Sequence, residues 1–528
     1  MAAVSRRQAL IGVGSVLTCL RLGFACTQSP TTPGSSASAT TGAGALVAAA
    51  TVTPTRGGNL ISATTAGIPN ANPYPNSPAT NRYRNALFDP LVSLDPQVQP
   101  LPELAESWTR SDDGSTLIFK LRRGIMFHSG RPFTADAARW NIEFAQDPSG
   151  LAQSGPSLKG VQARAIDAGT LQITLPDVMP QIFALLADVL MIDPQSNPVT
   201  DGIGTGPFML DGLRPDDEMR LMRNPRYWRA DRPFLDIVSI KNAPDIQAGL
   251  VALESGAISL TQCPTNDVQR LQTTSGTNAT VLLGSGNYHV LIDTADGPLS
   301  DQRVRQALSL ALDRKRLTET IFHGLVVPTY IMWPRTSPVW NADDDTGEFN
   351  LDRARELLAT AGYAGGFAMK LQGSTAYSDV NEFAQIVQAD LATIGVSATI
   401  DILEAAEATA ITQQGKFTDV FLLPYTFGDA DPALLFTAPP FRTTGNSTRF
   451  QSDQYKQMVD SAQREADFAK RIAMYRQIAV FVKNQAFELP LAPGFGAFAH
   501  RSNLHGITRA PFTSVPLLRD IWMADASV

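Results

Sequence analysis

Residues 378–402, SDVNEFAQIVQADLATIGVSATIDI, constrain the fold more than any other stretch. The first part reads as a helix stopped by Gly395. Beyond the glycine, Val396, Ala398, Ile400 and Ile402 alternate with polar residues, as on a half-buried strand. A helix that ends at one glycine and passes at once into a strand belongs to an α/β protein.

The same pattern recurs along the chain. Residues 300–322 read as one amphipathic helix with an apolar stripe of Val304, Ala307, Leu308, Ala311 and Leu312. Residues 351–363 read as a helix stopped by Gly362, and residues 452–486 as a long helical region broken near Asp467. Upstream, residues 59–65 form a short β-type stretch, followed by a Pro/Asn-rich loop at 68–78. Residues 81–95 read as a helix running into a strand. Residues 104–127 form a hairpin around the polar turn SDDG. A helix follows over 132–145, with Thr134 as its N-cap, Asp136 complementing its positive end, and Trp140 and Phe144 on one face. No internal repeat is evident.

Bulk composition narrows the class. The chain has 528 residues, 44% hydrophobic and 18% charged, which is globular and long enough for about three domains or lobes. A net charge of -7 without basic runs argues against a nucleic-acid partner. It suits an acidic, soluble, monomeric protein that meets a small molecule or another protein.

The first thirty residues read as a targeting segment. Arg6-Arg7 precedes an apolar stretch, Ala9 to Leu20, too short for a permanent span. SRRQAL resembles a twin-arginine export signal. LGFAC, ending at Cys26, resembles a bacterial lipoprotein cleavage site, although Gly23 stands where leucine is usual. Cys26 is therefore the expected lipidation point, with residues 1–25 as signal peptide. The alternative is ordinary cleavage nearby or at Ala37–Ala39. Residues 26–53, rich in Ser, Thr, Gly, Pro and Ala, read as a disordered tether. Cys263 is the lone cysteine of the mature body, so no internal disulfide is expected.

Catalytic signatures are missing. None of the five histidines forms H-E-x-x-H or pairs with cysteine at zinc spacing. No nucleophile has a recognisable base, and no cofactor motif is present. GTGPF, residues 204–208, lacks the G-K-[ST] of a phosphate loop and reads as a tight turn. His128 and His289 read as surface or hydrogen-bonded histidines before they read as ligands.

Residues 87–144, from LFDPLVSLD to RWNIEF, resemble the signature of family 5 extracellular solute-binding proteins, the peptide- and nickel-type binding components of bacterial ABC importers. GTGPF, NPRYW at 224–228, DQRVRQALSLALDR, LDRARELLATAGY and ADLATIGVSATI match further blocks of that family in order. The resemblance spans nearly all of the mature chain. It implies a two-lobed periplasmic-binding-protein type 2 fold with an extra subdomain on the first lobe. Lobe 1 is expected at 54–288, lobe 2 at 289–490 and a return to lobe 1 at 491–528. Strands at 284–293 and 487–495 should cross between the lobes and allow hinge closure over a small solute. The partners implied are a small-molecule or peptide ligand and the transmembrane subunits of an ABC permease. A lipid anchor would hold the protein at the periplasmic or outer face of the cytoplasmic membrane.

The resemblance also offers site residues. YTFGDADPALLF, residues 425–436, resembles the family segment W-x-x-D-x-x-D-P, whose aspartate pairs with a peptide's amino group. Tyr425 or Phe427 stands in place of the tryptophan, and the acidic pair is one residue closer. Asp429 is the better match and Asp431 the second. The bland reading makes either aspartate a turn cap. Tyr425 and Phe427 are candidates to pack on ligand side chains. Tyr330, Trp333, Asn70 and Asn72 are further candidates from regions that line the pocket in relatives. Cys263 reads as a buried structural thiol. Two other classes compete with transport: a secreted hydrolase, which lacks a catalytic constellation, and a sensory or chaperone-like protein on the same fold.

Overall fold

A computed structural model describes residues 53–524 except 75, 76, 78, 148–151, 153, 378, 427–430 and 512. The expected signal peptide, the lipidation point Cys26 and the tether up to residue 52 lie outside the described residues.

The junction at Gly395 is built as the sequence suggests. The helix Val380–Ala392 buries Val380, Phe383, Ala384, Val387 and Leu391, the larger four side chains contributing ~1.5–3 kcal/mol each. Gly395 then adopts φ +83°. A side chain on the facing Gly366 would put its Cβ 1.8 Å from the Gly395 carbonyl oxygen, so position 366 must be glycine where these backbones touch. The strand Val396–Leu403 follows and pairs in parallel with Phe367–Ser374, completing a β-α-β unit.

That unit forms one end of a ten-stranded mixed sheet. In spatial order the strands are Val396–Leu403, Phe367–Ser374, Val420–Thr426, Thr277–Ile292, Glu488–Arg501, Leu260–Gln262, Asn59–Thr64, Ile237–Asn242, Glu218–Arg223 and Phe208–Arg214. The two longest, Thr277–Ile292 and Glu488–Arg501, pair antiparallel at the centre. Both change hydrophobic core along their length. Leu282 and Phe498 belong to the core of the N-terminal lobe, together with Leu60, Phe88, Phe208 and Val238. Val290, Ile292, Leu489 and Leu491 belong to a second core with Val304, Leu371 and Phe383. The ladder breaks between these halves, between Leu283 and Asn287. A Cβ on Gly284 would lie 3.1 Å from the Gly494 carbonyl oxygen, and one on Gly494 would lie 3.2 Å from that of Gly286.

A separate four-stranded antiparallel sheet, Ala105–Arg110, Thr116–Leu121, Thr170–Thr174 and Gln162–Asp167, forms the extra subdomain of the first lobe. Its hairpin turns through SDDG, where Asp113 accepts from the Ser115 amide and Gly114 takes φ +72°. The helix Ala135–Gln146 covers this sheet. Thr134 caps it by accepting from the Ala137 amide, and Trp140 and Phe144 stack at 4.9 Å. A third core, built on Trp333, Phe436, Tyr455 and Tyr475, fills the far part of the C-terminal lobe.

One expected helix is two. Gln302–Ala311 ends before Asp313, whose side chain accepts from the Arg316 amide to cap a new helix, Arg314–Phe322. The break expected near Asp467 is present: Asp453–Arg464 and Phe468–Gln485 are separate, and Asp467 caps the second.

Candidate functional site: a cavity between the lobes

Both cores contribute to the wall of one cavity of 1330 Å³. Its first-lobe side carries Arg82, Arg84, Asp188 and Gln262; the central strands supply Tyr288, Phe495 and Phe498. The second-lobe side carries Phe322, Asp379, Glu382, Leu434 and Leu435. Leu434 also packs against the first-lobe core, so the segment after the acidic stretch meets the opposite lobe.

The charged groups here are arranged unequally. Arg84 is neutralised: its Nη2 lies 2.6 Å from Asp188 at the end of the helix Ile182–Asp188. Arg82 ends the short helical turn Thr80–Arg82 and lies over the Phe498 ring, 5.2 Å from its centre. It is 8% exposed, and burial pushes its guanidinium down to about 10. Opposite, Tyr288 stacks on Phe383 at 4.4 Å and donates its hydroxyl to Asp379. Burial pushes the Asp379 carboxyl up, and the tyrosine bond draws it partly back. Asp379 sits at the start of the helix Val380–Ala392, where the helix dipole favours negative charge. Phe322 meets Phe495 edge-on at 5.0 Å on the same wall.

Cys263 lines the cavity as a free thiol. Its Sγ donates to the Pro264 carbonyl, and burial, with the Asp267 charge, pushes its pKa up to about 12. It is therefore protonated at neutral pH and a poor nucleophile. Three of the five histidines are taken up in the fold, while His323 is exposed and lines the cavity. His128 bonds Gly204 and Gly206, His289 pairs with Glu488, and His500 bonds Thr280. Among the described residues no group of three or more His, Cys, Asp or Glu is placed to hold a metal.

Several residues expected at the ligand are placed elsewhere. Asp431 is 3% exposed; one oxygen accepts from the Ala433 amide and the other lies 2.8 Å from Arg471. Its carboxylate is committed to a turn and a buried ion pair, and it is not part of the cavity wall. Trp333 is a core residue, packed edge-on against Phe436 at 6.0 Å. Tyr330 lies beneath the Arg314 guanidinium in a separate cavity of 290 Å³. Asn70 and Asn72 form successive turns, accepting from the Asn72 and Tyr74 amides, and neither lines the large cavity. The turn-forming tendency of Asn and Asp explains these three polar residues without a ligand. Tyr425 pairs by its backbone with Asn287 in the central sheet, and Phe427 and Asp429 lie outside the described residues.

Arg82, Arg84, Asp188, Gln262, Tyr288, Asp379 and Glu382 are among the polar wall residues that sequence reading missed. The one local signal is charge where a helix begins or packs, as in RYR at 82–84 and Asp379 before VNEF.

Comparison with known proteins places this geometry in context. The family model described as bacterial extracellular solute-binding proteins, family 5 Middle, matches residues 99–447. The glutathione-binding protein GsiB of Escherichia coli O6:K15:H31 (strain 536 / UPEC) is 27% identical over 485 residues, covering 86% of this chain and 93% of GsiB. Among solved structures, the periplasmic binding protein DppA from Helicobacter pylori, in complex with peptide STSA, superposes with a TM-score of 0.74 at 22% identity. That match covers 89% of this chain and 98% of DppA. The binding protein AgaA in complex with agropinic acid, from A.tumefacien R10, gives 0.73 at 23% identity over 88% of this chain and 99% of its own.

Proposed function

The chain belongs to the family 5 bacterial extracellular solute-binding proteins, which serve ABC importers as the solute-binding component, and from that premise we propose that its solute is a short peptide or peptide-like molecule. The observation that carries the reading is the 1330 Å³ cavity, walled by both lobes and crossed at its base by two glycine-bearing strands. A site shared by two lobes couples binding to closure. GsiB, a glutathione-binding protein, and DppA, solved in complex with a peptide, support the ligand class.

The remaining parts of the proposal rest on sequence. Lobe 1 spans 54–288 with return at 491–528, and lobe 2 spans 289–490. Asp429 accepts the amino group of the ligand, and Tyr425 and Phe427 pack on ligand side chains. The protein is exported through the SRRQAL signal, anchored by lipid on Cys26, and delivers its solute to the transmembrane subunits of a permease. Among the described residues no helix is long and apolar enough to cross a membrane.

One preparation from a native host tests these points. Native mass spectrometry is expected to show a bound mass, released on denaturation and identified as a short peptide. The intact mass of the same sample should correspond to a chain starting at Cys26 with its lipid. A bound sugar or metal chelate would overturn the peptide reading, and an unlipidated start beyond Cys26 would overturn the anchor.

A further inference from the structure

Five arginines are buried in the described chain: Arg82, Arg84, Arg305, Arg314 and Arg471. Four of them are engaged. Arg84 pairs with Asp188 and Arg471 with Asp431. Arg305 donates to the carbonyls of Leu299, Ser300 and Gln485, and Arg314 to those of Ser309 and Pro490. Arg82 is the exception. Among the described residues its guanidinium makes no hydrogen bond and no ion pair, and Nε is sealed from water without a partner. Its one favourable contact is the face of Phe498.

A guanidinium carries a fixed charge and five donors, and removing it from water unpaired is costly. A single cation–π contact does not offset that cost. Where the other four arginines meet carboxylates or carbonyls, Arg82 meets the cavity. The opposite wall shows the complementary feature. Asp379 has a tyrosine hydroxyl for a partner and, among the described residues, no cation. One cavity thus carries an uncompensated positive group on its first-lobe wall and an uncompensated negative group on its second.

We propose that Arg82 is the receptor for a carboxylate of the solute, so that the cleft selects solutes whose acid end docks on the first lobe, opposite the second-lobe wall that carries Asp379. The planar fork of arginine matches a carboxylate through two parallel hydrogen bonds. This assignment rests on the cavity being the solute site, but not on the solute being a peptide.

The test uses the purified full chain, freed of bound solute, with four probes read by thermal shift and calorimetry. The probes are a mixed tripeptide library as free acids, the same library as C-terminal amides, agropinic acid, and maltotriose as a neutral solute. Free acids should bind the parent at least tenfold more tightly than amides, since one charge-assisted pair is lost. Arg82→Gln should weaken the acids by about tenfold to a hundredfold, leave the amides unchanged and so erase the preference. Arg82→Lys, which keeps charge but not the fork, should fall between. Unliganded Arg82→Gln should melt no lower than the parent, because a buried unpaired charge is removed; a structural arginine would behave oppositely. If the glutamine variant does not fold, the acid–amide comparison on the parent and the lysine variant still decide. Equal binding of acids and amides, or equal losses for both in Arg82→Gln, overturns the assignment while leaving the peptide reading intact. Binding of agropinic acid alone, dependent on Arg82, sustains the assignment and removes the peptide reading. Binding of maltotriose alone, or of no carboxylated probe, overturns both.

Discussion

Asp431 stands two residues beyond Asp429, the proposed amine acceptor, and its own carboxylate is committed to a buried ion pair. The Asp431–Arg471 pair is almost fully enclosed, with side chains 3% and 5% exposed. Removing one member strands the other charge, which costs ~3–5 kcal/mol for a buried pair. Asp431→Asn should therefore lower the urea midpoint sharply while changing solute affinity little in the protein that remains folded. Asp429→Asn should do the reverse, with affinity down about tenfold to a hundredfold and stability near parental, if Asp429 accepts the amine. Calorimetry and urea titration on both variants separate the roles, and an exchange of the two phenotypes would show the carboxylates wrongly assigned. His128 gives a pH signature of its own. Its Nδ1 accepts from the Gly204 amide at 3.2 Å and its Nε2 bonds the Gly206 carbonyl at 3.1 Å, an arrangement that suits only neutral imidazole. Burial pushes its pKa down to about 4. The unfolded chain takes up this proton near 6.5 and the folded chain near 4, so more protons are bound unfolded in that window. The stability His128 contributes is complete above 6.5 and is lost as pH falls towards 4, by ~2 kcal/mol for a half-buried ring. His128→Gln should remove that slope in urea titrations at pH 7 and 4.5; an unaltered slope would place the effect elsewhere.

At the scale of elements, legibility follows the range of the forces involved. The helix–Gly395–strand junction is legible because its determinants lie within a few residues: an apolar face, a glycine at φ +83° and a period-two strand. The hairpin at SDDG, the cap at Thr134 and the break at Asp467 are legible for the same reason. Residues 302–322 are misread as one helix because the apolar stripe runs on through Leu312. What breaks it is a tertiary bond as well as a local cap: the Asp313 amide donates to Asp390, in another helix. The cavity is the least legible feature. Arg82, Asp188, Gln262, Tyr288 and Asp379 come from five separate segments, and strand order brings them to one wall. Family resemblance supplies Asp429 as a candidate, but it offers Trp333, Tyr330 and Asn72 as well, and these are used in packing and turns.

For the whole molecule the question is how binding becomes closure. A cavity of 1330 Å³ exceeds the ~300–1,000 Å³ usual for a small-molecule site, so a tripeptide cannot contact every wall unless the lobes approach. Both central strands change core at one level, between residues 283 and 287 and near residue 494, where the ladder is broken and glycines face each other. Dihedral change confined there would move one core against the other without disturbing either. Solute should therefore lower the radius of gyration in small-angle scattering, and no change at saturation would count against closure. Magnitude gives a sharper form of the prediction. Moving a population from 1:99 to 99:1 requires ~10⁴-fold tighter binding to the closed form, about 5.5 kcal/mol. If Arg82 holds the acid end of the solute and the second lobe its other end, much of that difference comes from contacts that exist together only when the lobes meet. Losing a tenfold to hundredfold share through Arg82→Gln would leave the saturated protein a mixture, with a radius between the free and closed values. A saturated Arg82→Gln protein as compact as the parent would mean that Arg82 contributes equally to both forms, and that closure is driven from the second lobe alone.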